Sequence, residues 1–222
     1  MRTQFDTERE ELAAAARRLA AERLVLGTAG NVSLRAGDEH VVISPTGISL
    51  ADLRADQVAV VDLEGRPLED SPAPTSELDL HLGIYERFDT GAVVHTHAPI
   101  ATALSCVLDE LPCVHYEMLM LGGSVRVAPY ATFGTPELAR AVGDALEGRT
   151  AALMANHGAV THGHDLAAAL RATELLEWAA TVYWRATALG EPRILDSEQQ
   201  QAVVDTAIAR SYGRTRPAEP SS

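Results

Sequence analysis

Two histidines separated by one residue, His95 and His97, close the run Val93-Val94-His95-Thr96-His97. In an extended strand successive side chains alternate between faces, so these two imidazoles project together and Thr96 points away. Neutral imidazole is a ligand for zinc and its first-row neighbours. The chemistry suggested by the pair is the grip of one divalent ion; two strand-end histidines that merely hydrogen-bond are the competing reading. A third histidine, His157, stands in Asn156-His157-Gly158 at the end of the apolar stretch Ala151 to Ala155. The neighbouring glycine leaves it free to turn toward a pocket, although taken alone it reads more readily as a satisfied core histidine. A second His-x-His, His162-Gly163-His164, has a glycine at its centre and the capping residue Asp165 behind it. It is expected to form a turn, not a strand, and so carries no same-face geometry.

Three further stretches have the chemistry of an anion site. Gly27-Thr28-Ala29-Gly30-Asn31 is small and glycine-rich, so backbone N–H groups can approach a ligand, and Asn31 adds two side-chain donors. It reads as a phosphate nest or as an ordinary turn into a strand. Thr46-Gly47 offers a hydroxyl beside a glycine amide. Pro74-Thr75-Ser76-Glu77-Leu78-Asp79 has the form of a helix start, with hydroxyls at the cap and carboxylates in the first turn. Those hydroxyls either cap the helix or bind an anion at its N-terminus, and in the second case Glu77 lies beside the same anion. His81, one turn on from Glu77, shares its face and reads as packing or as a support just behind the site, with a direct role the lesser alternative.

Composition removes several alternatives. All 18 basic residues are arginine, and there is no lysine. Arginine stays protonated and forms no Schiff base, so imine aldolase chemistry, lysine-bound pyridoxal phosphate and the Walker phosphate loop are excluded. Carbonyl activation must come from a metal or from hydrogen-bond donors. A net charge of −13 argues against nucleic acid or an anionic membrane surface as a partner. No apolar run reaches the roughly 20 residues that span a bilayer. The N-terminus has no secretory form, and Cys106 and Cys113 make no framework and no CxxC. Two reduced thiols in a cytoplasmic protein are expected.

The chain is long enough, at 222 residues with 46% hydrophobic, for one sizeable core. A helix with a capping box at Thr7 to Glu10 is expected to run toward Gly27. Val41 to Ser44 and Val58 to Val61 read as strands, with a hairpin turn at Asp62 to Gly65. Ala98 to Leu108 reads as a short helix, Pro112 to Tyr116 as extended, and Thr135-Pro136 as a helix start. Asp165 opens the longest helix, to Leu189, and Asp196 caps a last one to about Arg210. Helices alternate with strands, which predicts an α/β fold with helices on both faces of a mixed or antiparallel sheet. No linker divides the chain; residues 1–213 are expected as a single domain and 214–222 as a flexible tail.

The segments GTAGNVS, ISPTGI, PTSE, VVHTH, APYATFGT and NHG, in this order, resemble the class II aldolase/adducin family across nearly the whole chain. The resemblance implies a three-layer αβα sandwich around a mainly antiparallel sheet, assembled as a homotetramer with active sites at subunit interfaces. It implies zinc, one ion per subunit, held by His95, His97 and His157. Glu77 is then the fourth ligand at rest and the acid/base once substrate enters. Gly30, Asn31, Thr46, Gly47, Thr75 and Ser76 would cradle phosphate, and Tyr116 and Tyr212 would complete the site, the first across a subunit boundary. The implied reaction is reversible cleavage of a ketose 1-phosphate, of the L-fuculose 1-phosphate kind, to dihydroxyacetone phosphate and a short aldehyde. Dehydration of a methylthioribulose 1-phosphate, epimerisation and decarboxylation pass through related enolates and are the alternatives; a non-catalytic adducin-like module is the other. The epimerase pattern has Asp in place of Glu77 and Lys in place of Ser44, and both differences favour carbon–carbon cleavage.

Overall fold

The computed structural model describes residues 5–68 and 70–210. Tyr212 and the 214–222 tail lie outside the described residues. In chain order the elements are α1 (Asp6–Ala21), β1 (Asn31–Ala36), β2 (His40–Ile43), β3 (Ala59–Asp62), α2 (Leu78–Arg87), β4 (Ala92–Thr96), α3 (Pro99–Ser105), β5 (Glu110–Leu111), β6 (Val125–Ala128), α4 (Pro136–Ala145), β7 (Ala151–Met154), β8 (Gly158–Gly163), α5 (Leu166–Leu189) and α6 (Ser197–Arg210). The eight strands form one sheet in the order β3-β2-β1-β4-β8-β7-β6-β5. Only β6 and β7 pair in parallel; every other neighbour is antiparallel. The mainly antiparallel sheet between helices is the architecture expected from the sequence.

Period-two alternation divides the core between the two faces of the sheet. On one face Val32 and Leu34 of β1, Val94 of β4 and Leu153 of β7 pack with Leu12 and Leu19 of α1, Leu104 of α3 and Leu176 of α5. On the other, Ile43, Val93, Ala152 and Val160 pack with Leu80 and Ile84 of α2 and with Leu138 and Val142 of α4. Leu153 is fully buried in a central strand, and Leu153→Ala is expected to lower the unfolding free energy in urea titration by about 2–5 kcal/mol.

Both edges of the sheet are managed. Outside β3, the segment after it turns back so that Asp62 N–H donates to Arg66 O and Leu68 N–H to Val60 O. Val60 N–H also meets Ser71 Oγ at 2.8 Å. The other edge strand, β5, is two residues long.

Some boundaries differ from the sequence reading. The helix α1 has Phe5 at its cap in a left-handed conformation, with no side-chain cap, in place of the expected box at Thr7. It stops at Ala21, well short of Gly27, because Arg23 turns left-handed (φ 60°) and Leu24 N–H and Arg23 N–H close on Leu19 O and Ala20 O. That is a Schellman termination with arginine where glycine is usual. The helix expected from Ala98 to Leu108 is confined to α3. His162 and Gly163 belong to β8, not to a turn, since Val93 of β4 pairs with His162. The caps at Thr135, Asp165 and Asp196 are present, the last as a reciprocal pair in which Gln199 N–H reaches Asp196 and Asp196 N–H reaches Gln199.

Candidate metal and anion site

Sheet register assembles the site. Asn31 of β1 lies opposite His95 of β4, and Ser33 opposite Val93. All four side chains therefore face the layer covered by α2. Glu77 occupies the capping position of α2, with no side-chain cap of its own; His81 and Tyr85 follow at four-residue intervals on the same stripe. His97 continues the β4 alternation one residue past its end. His157 comes from the β7–β8 hairpin, where Asn156 takes a left-handed conformation (φ 55°), which Asn tolerates better than most residues. Gly158 lets this hairpin close onto β4: a Cβ there would strike Thr96 O and lie 3.1 Å from the His97 ring and 3.3 Å from that of His95.

The three histidine rings form a near-equilateral, edge-on triangle, with centroids 4.8, 4.9 and 5.1 Å apart, and one nitrogen from each lies within 4.8 Å of the others. Glu77 closes the group, with Oε2 3.2 Å from His95 Nε2 and Oε1 3.4 Å from His157 Nε2. His95 Nδ1 is 2.9 Å from Ala159 O, an acceptor, so Nδ1 carries the proton and Nε2 presents a lone pair to the centre. His97 Nε2 sits 3.0 Å from that same nitrogen. Burial, and then the neighbouring His95 and His157, push His97 down to about 4; burial likewise lowers His157. Burial alone would raise Glu77, but the electrostatics of the adjacent His95 ring, the donating Asn31 amide and His157 outweigh it, holding the carboxyl well below the usual range. Glu77 Oε1 is buried without a hydrogen-bond partner. Three imidazole nitrogens and a carboxylate oxygen converging on one centre are the environment that a divalent ion satisfies.

Beside this centre opens a cleft of about 540 Å³. Gly30, Asn31, Thr46, Gly47, Thr75 and Ser76 all line it, with Glu77, His97 and His157. The two hydroxyl segments come together because Thr46 N–H donates to Ala73 O and Thr75 N–H to Ser44 O. Gly30 has φ +88°, and a Cβ there would lie 2.7 Å from Val25 Cγ1 and 3.0 Å from His95 O, so the turn closes against β4 only with glycine. The helix begins after Glu77, which leaves the Thr75 and Ser76 hydroxyls at the cleft.

Not every candidate converges. Tyr116 lines a separate apolar depression with Ala202, Val203 and Ala207 of α6 and does not reach the cleft of its own chain. His162 is satisfied elsewhere, at 3.0 Å from Arg149 O and 3.2 Å from Thr90 Oγ1, and His164 is exposed beside Asp165. The cleft also includes residues not singled out in the sequence: Thr28, Asn156, and the exposed aromatics Tyr130 and Phe133. Their signal was an aromatic pair at i, i+3 within APYATFGT, in a chain with only 5% aromatic residues.

Residues 10–184 match the model of the Class II Aldolase and Adducin N-terminal domain. The chain belongs to this family. A relative, the 5-methylthioribulose-1-phosphate/5-deoxyribulose-1-phosphate aldolase of Rhodospirillum rubrum, is 43% identical over 207 residues, covering 92% of each chain. The 5-deoxy-D-ribulose 1-phosphate aldolase of Bacillus thuringiensis is 36% identical, over 87% of this chain and 92% of its own. Among solved structures an L-fuculose 1-phosphate aldolase superposes with a TM-score of 0.85 at 36% identity, covering 89% of this chain and 94% of that one. The protein is a class II aldolase, a carbon–carbon lyase. Such aldolases are metal-dependent, and the three-histidine group could hold the ion. No helix among the described residues is long and apolar enough to cross a membrane.

The buried histidines also set an acid limit on this aldolase's stability. Burial pushes His81 from 6.5 to about 3 and lowers His162. The unfolded chain therefore binds these protons first, and stability falls as pH drops below about 6.5. One unit below, His81 withdraws about 1.4 kcal/mol, and His162 acts in the same direction. The thermal midpoint of the metal-free protein is expected to fall steadily from pH 7 to pH 5; a flat profile would contradict neutral buried rings.

Proposed function

We propose that this class II aldolase is zinc-dependent and reversibly cleaves a ketose 1-phosphate to dihydroxyacetone phosphate and a short aldehyde. The observation that carries the reading is three imidazoles and a carboxylate around one centre, beside a cleft walled by hydroxyls and backbone amides. In this reading His95, His97 and His157 hold the zinc, with Glu77 as fourth ligand at rest. The ion would supply Lewis acidity toward the ketose carbonyl and its adjacent hydroxyl.

The chain's own residues do the rest. Gly30, Asn31, Thr46, Gly47, Thr75 and Ser76 bind the phosphate through neutral donors. This remote binding energy fixes the reacting carbons beside Glu77. On cleavage the C4 hydroxyl gives up its proton to the ionised Glu77 carboxylate and the C3–C4 bond breaks, with its electron pair moving toward C2. Glu77 delivers a proton to C3, and removes it in the synthetic direction. A tyrosine hydroxyl serves the aldehyde oxygen; Tyr116 of a neighbouring copy and Tyr212 are the residues proposed for it. Tyr130 and Phe133, apolar at the cleft, suit an aldehyde with a methyl or thioether end. For a 5-deoxypentulose 1-phosphate that aldehyde is acetaldehyde.

The reading further includes a homotetramer with sites at subunit interfaces and a cytoplasmic location, which suits the free Cys106 and Cys113. The decisive test is product identification by NMR from L-fuculose 1-phosphate, 5-deoxyribulose 1-phosphate and 5-methylthioribulose 1-phosphate, on protein of measured metal content. Equal yields of dihydroxyacetone phosphate and aldehyde are expected. Loss of water without chain shortening, or inversion alone, would replace cleavage by the dehydratase or epimerase reaction.

A further inference from the structure

We propose that His81 is a positioning residue for the cleavage reaction: its ring holds the Asn31 side chain in the one orientation that donates to both Glu77 and Thr75. The inference rests on the reading of Glu77 as acid/base and Thr75 as phosphate ligand.

The donors can be assigned by starting at the carboxylate. Glu77 is ionised and only accepts. The Asn31 atom 2.9 Å from Glu77 Oε2 is therefore the amide nitrogen, which also lies 3.1 Å from Thr75 Oγ1. Asn31 Oδ1 then faces His81 Nε2 at 2.5 Å, and an amide oxygen only accepts, so Nε2 carries the ring proton. His81 is fully buried and neutral at physiological pH, so its Nδ1 must accept. Ser33 Oγ, 2.6 Å away, is the donor. Tyr85, 2.9 Å from Ser33 Oγ, completes the row by donating to it; burial drives this phenol upward and keeps it protonated. Four hydrogen bonds thus run in one direction, from Tyr85 through Ser33, His81 and Asn31 to Glu77.

The row has two consequences at the cleft. A flipped Asn31 amide would set its oxygen against the Glu77 carboxylate and leave His81 Nε2–H facing an NH₂ group, so the ring selects the productive rotamer. Thr75 Oγ1 accepts from Asn31 and from Glu77 N–H at 3.3 Å, which leaves its own proton for a ligand in the cleft. The network orients and does not conduct: a carboxamide in its path carries no exchangeable acid function.

The test is performed on the full chain, loaded with zinc. Ring ¹⁵N NMR, with the signals of His81 assigned by their disappearance in His81→Gln, is expected to show a protonated Nε2 and a bare Nδ1. His81→Leu is expected to retain wild-type zinc content, lower kcat about tenfold or more and raise KM for the ketose phosphate. A variant that is only less stable loses active fraction and leaves KM unchanged. His81→Gln, which can still donate at this reach, is expected to recover part of both parameters. Should His81→Leu not fold, Ser33→Ala carries the kinetic test, with loss of the single tautomer and a smaller change in both parameters. A protonated Nδ1 in the wild type overturns the proposal, as does a folded His81→Leu with wild-type kinetics. If the wild type cleaves no ketose 1-phosphate, the functional reading fails on its own, and the tautomer still decides the Asn31 orientation.

Discussion

Glu77→Gln is expected to lower kcat for carbon–carbon cleavage by about 10²–10⁴-fold while zinc content stays at the wild-type level. Glutamine has the same shape and can keep an oxygen on the Asn31 amide, which donates to Oε2 at 2.9 Å in the wild type. Its nitrogen can neither take nor return a proton at substrate carbon. The three histidines remain to hold the ion, and the phosphate wall remains intact, so KM is expected to stay within about fivefold. Steady-state kinetics with metal quantification measures all three quantities. Wild-type turnover in Glu77→Gln would remove the carboxylate from its proposed role and leave it as a ligand at most.

Zinc removal is expected to have the largest effect of all. Dialysis against a chelator should bring activity below about 1% of wild type, and one equivalent of zinc should restore it. The chain has no lysine, so no imine route exists to carry residual carbonyl chemistry. His157→Ala should reproduce the loss without restoration, because it takes one of three nitrogens from the triangle and leaves Glu77 Oε1 facing a void. Its neighbours His95 and His97 stay on β4, so the variant is expected to fold. Undiminished activity in protein shown by mass spectrometry to be metal-free would end the zinc proposal.

Much of the site could be read before any coordinates because it is built on strand periodicity. His95 and His97 share a face for the reason that any i, i+2 pair in a strand does. Glu77 and the hydroxyls before it were visible as a helix start, though the structure begins the helix one residue later than a hydroxyl cap would require. What could not be read is cross-strand register: nothing in the letters says that Asn31 stands opposite His95, or Ser33 opposite Val93, with His81 between them. The letters place His81 only on the face of Glu77, as packing or as a support behind it, and do not name its partners. Tyr130 and Phe133 are brought to the cleft by a loop whose path depends on long-range contacts. The end of α1 departs from the sequence pattern for a local reason, since Arg23 adopts the left-handed conformation sought at glycine. Gly163 reads as a turn signal beside His162, whereas pairing with β4 holds both in the strand. Tyr116 faces α6 within one chain, so its proposed contribution depends on a neighbouring copy.

The two rims of the sheet limit how copies of this enzyme can join. One carries a returning strap that already occupies the ladder positions of Val60 and Asp62, and the other offers a strand of two residues. Neither gives a second chain a row of open amides long enough to extend the sheet from molecule to molecule. Any closed assembly must instead be cemented through helix and loop surfaces.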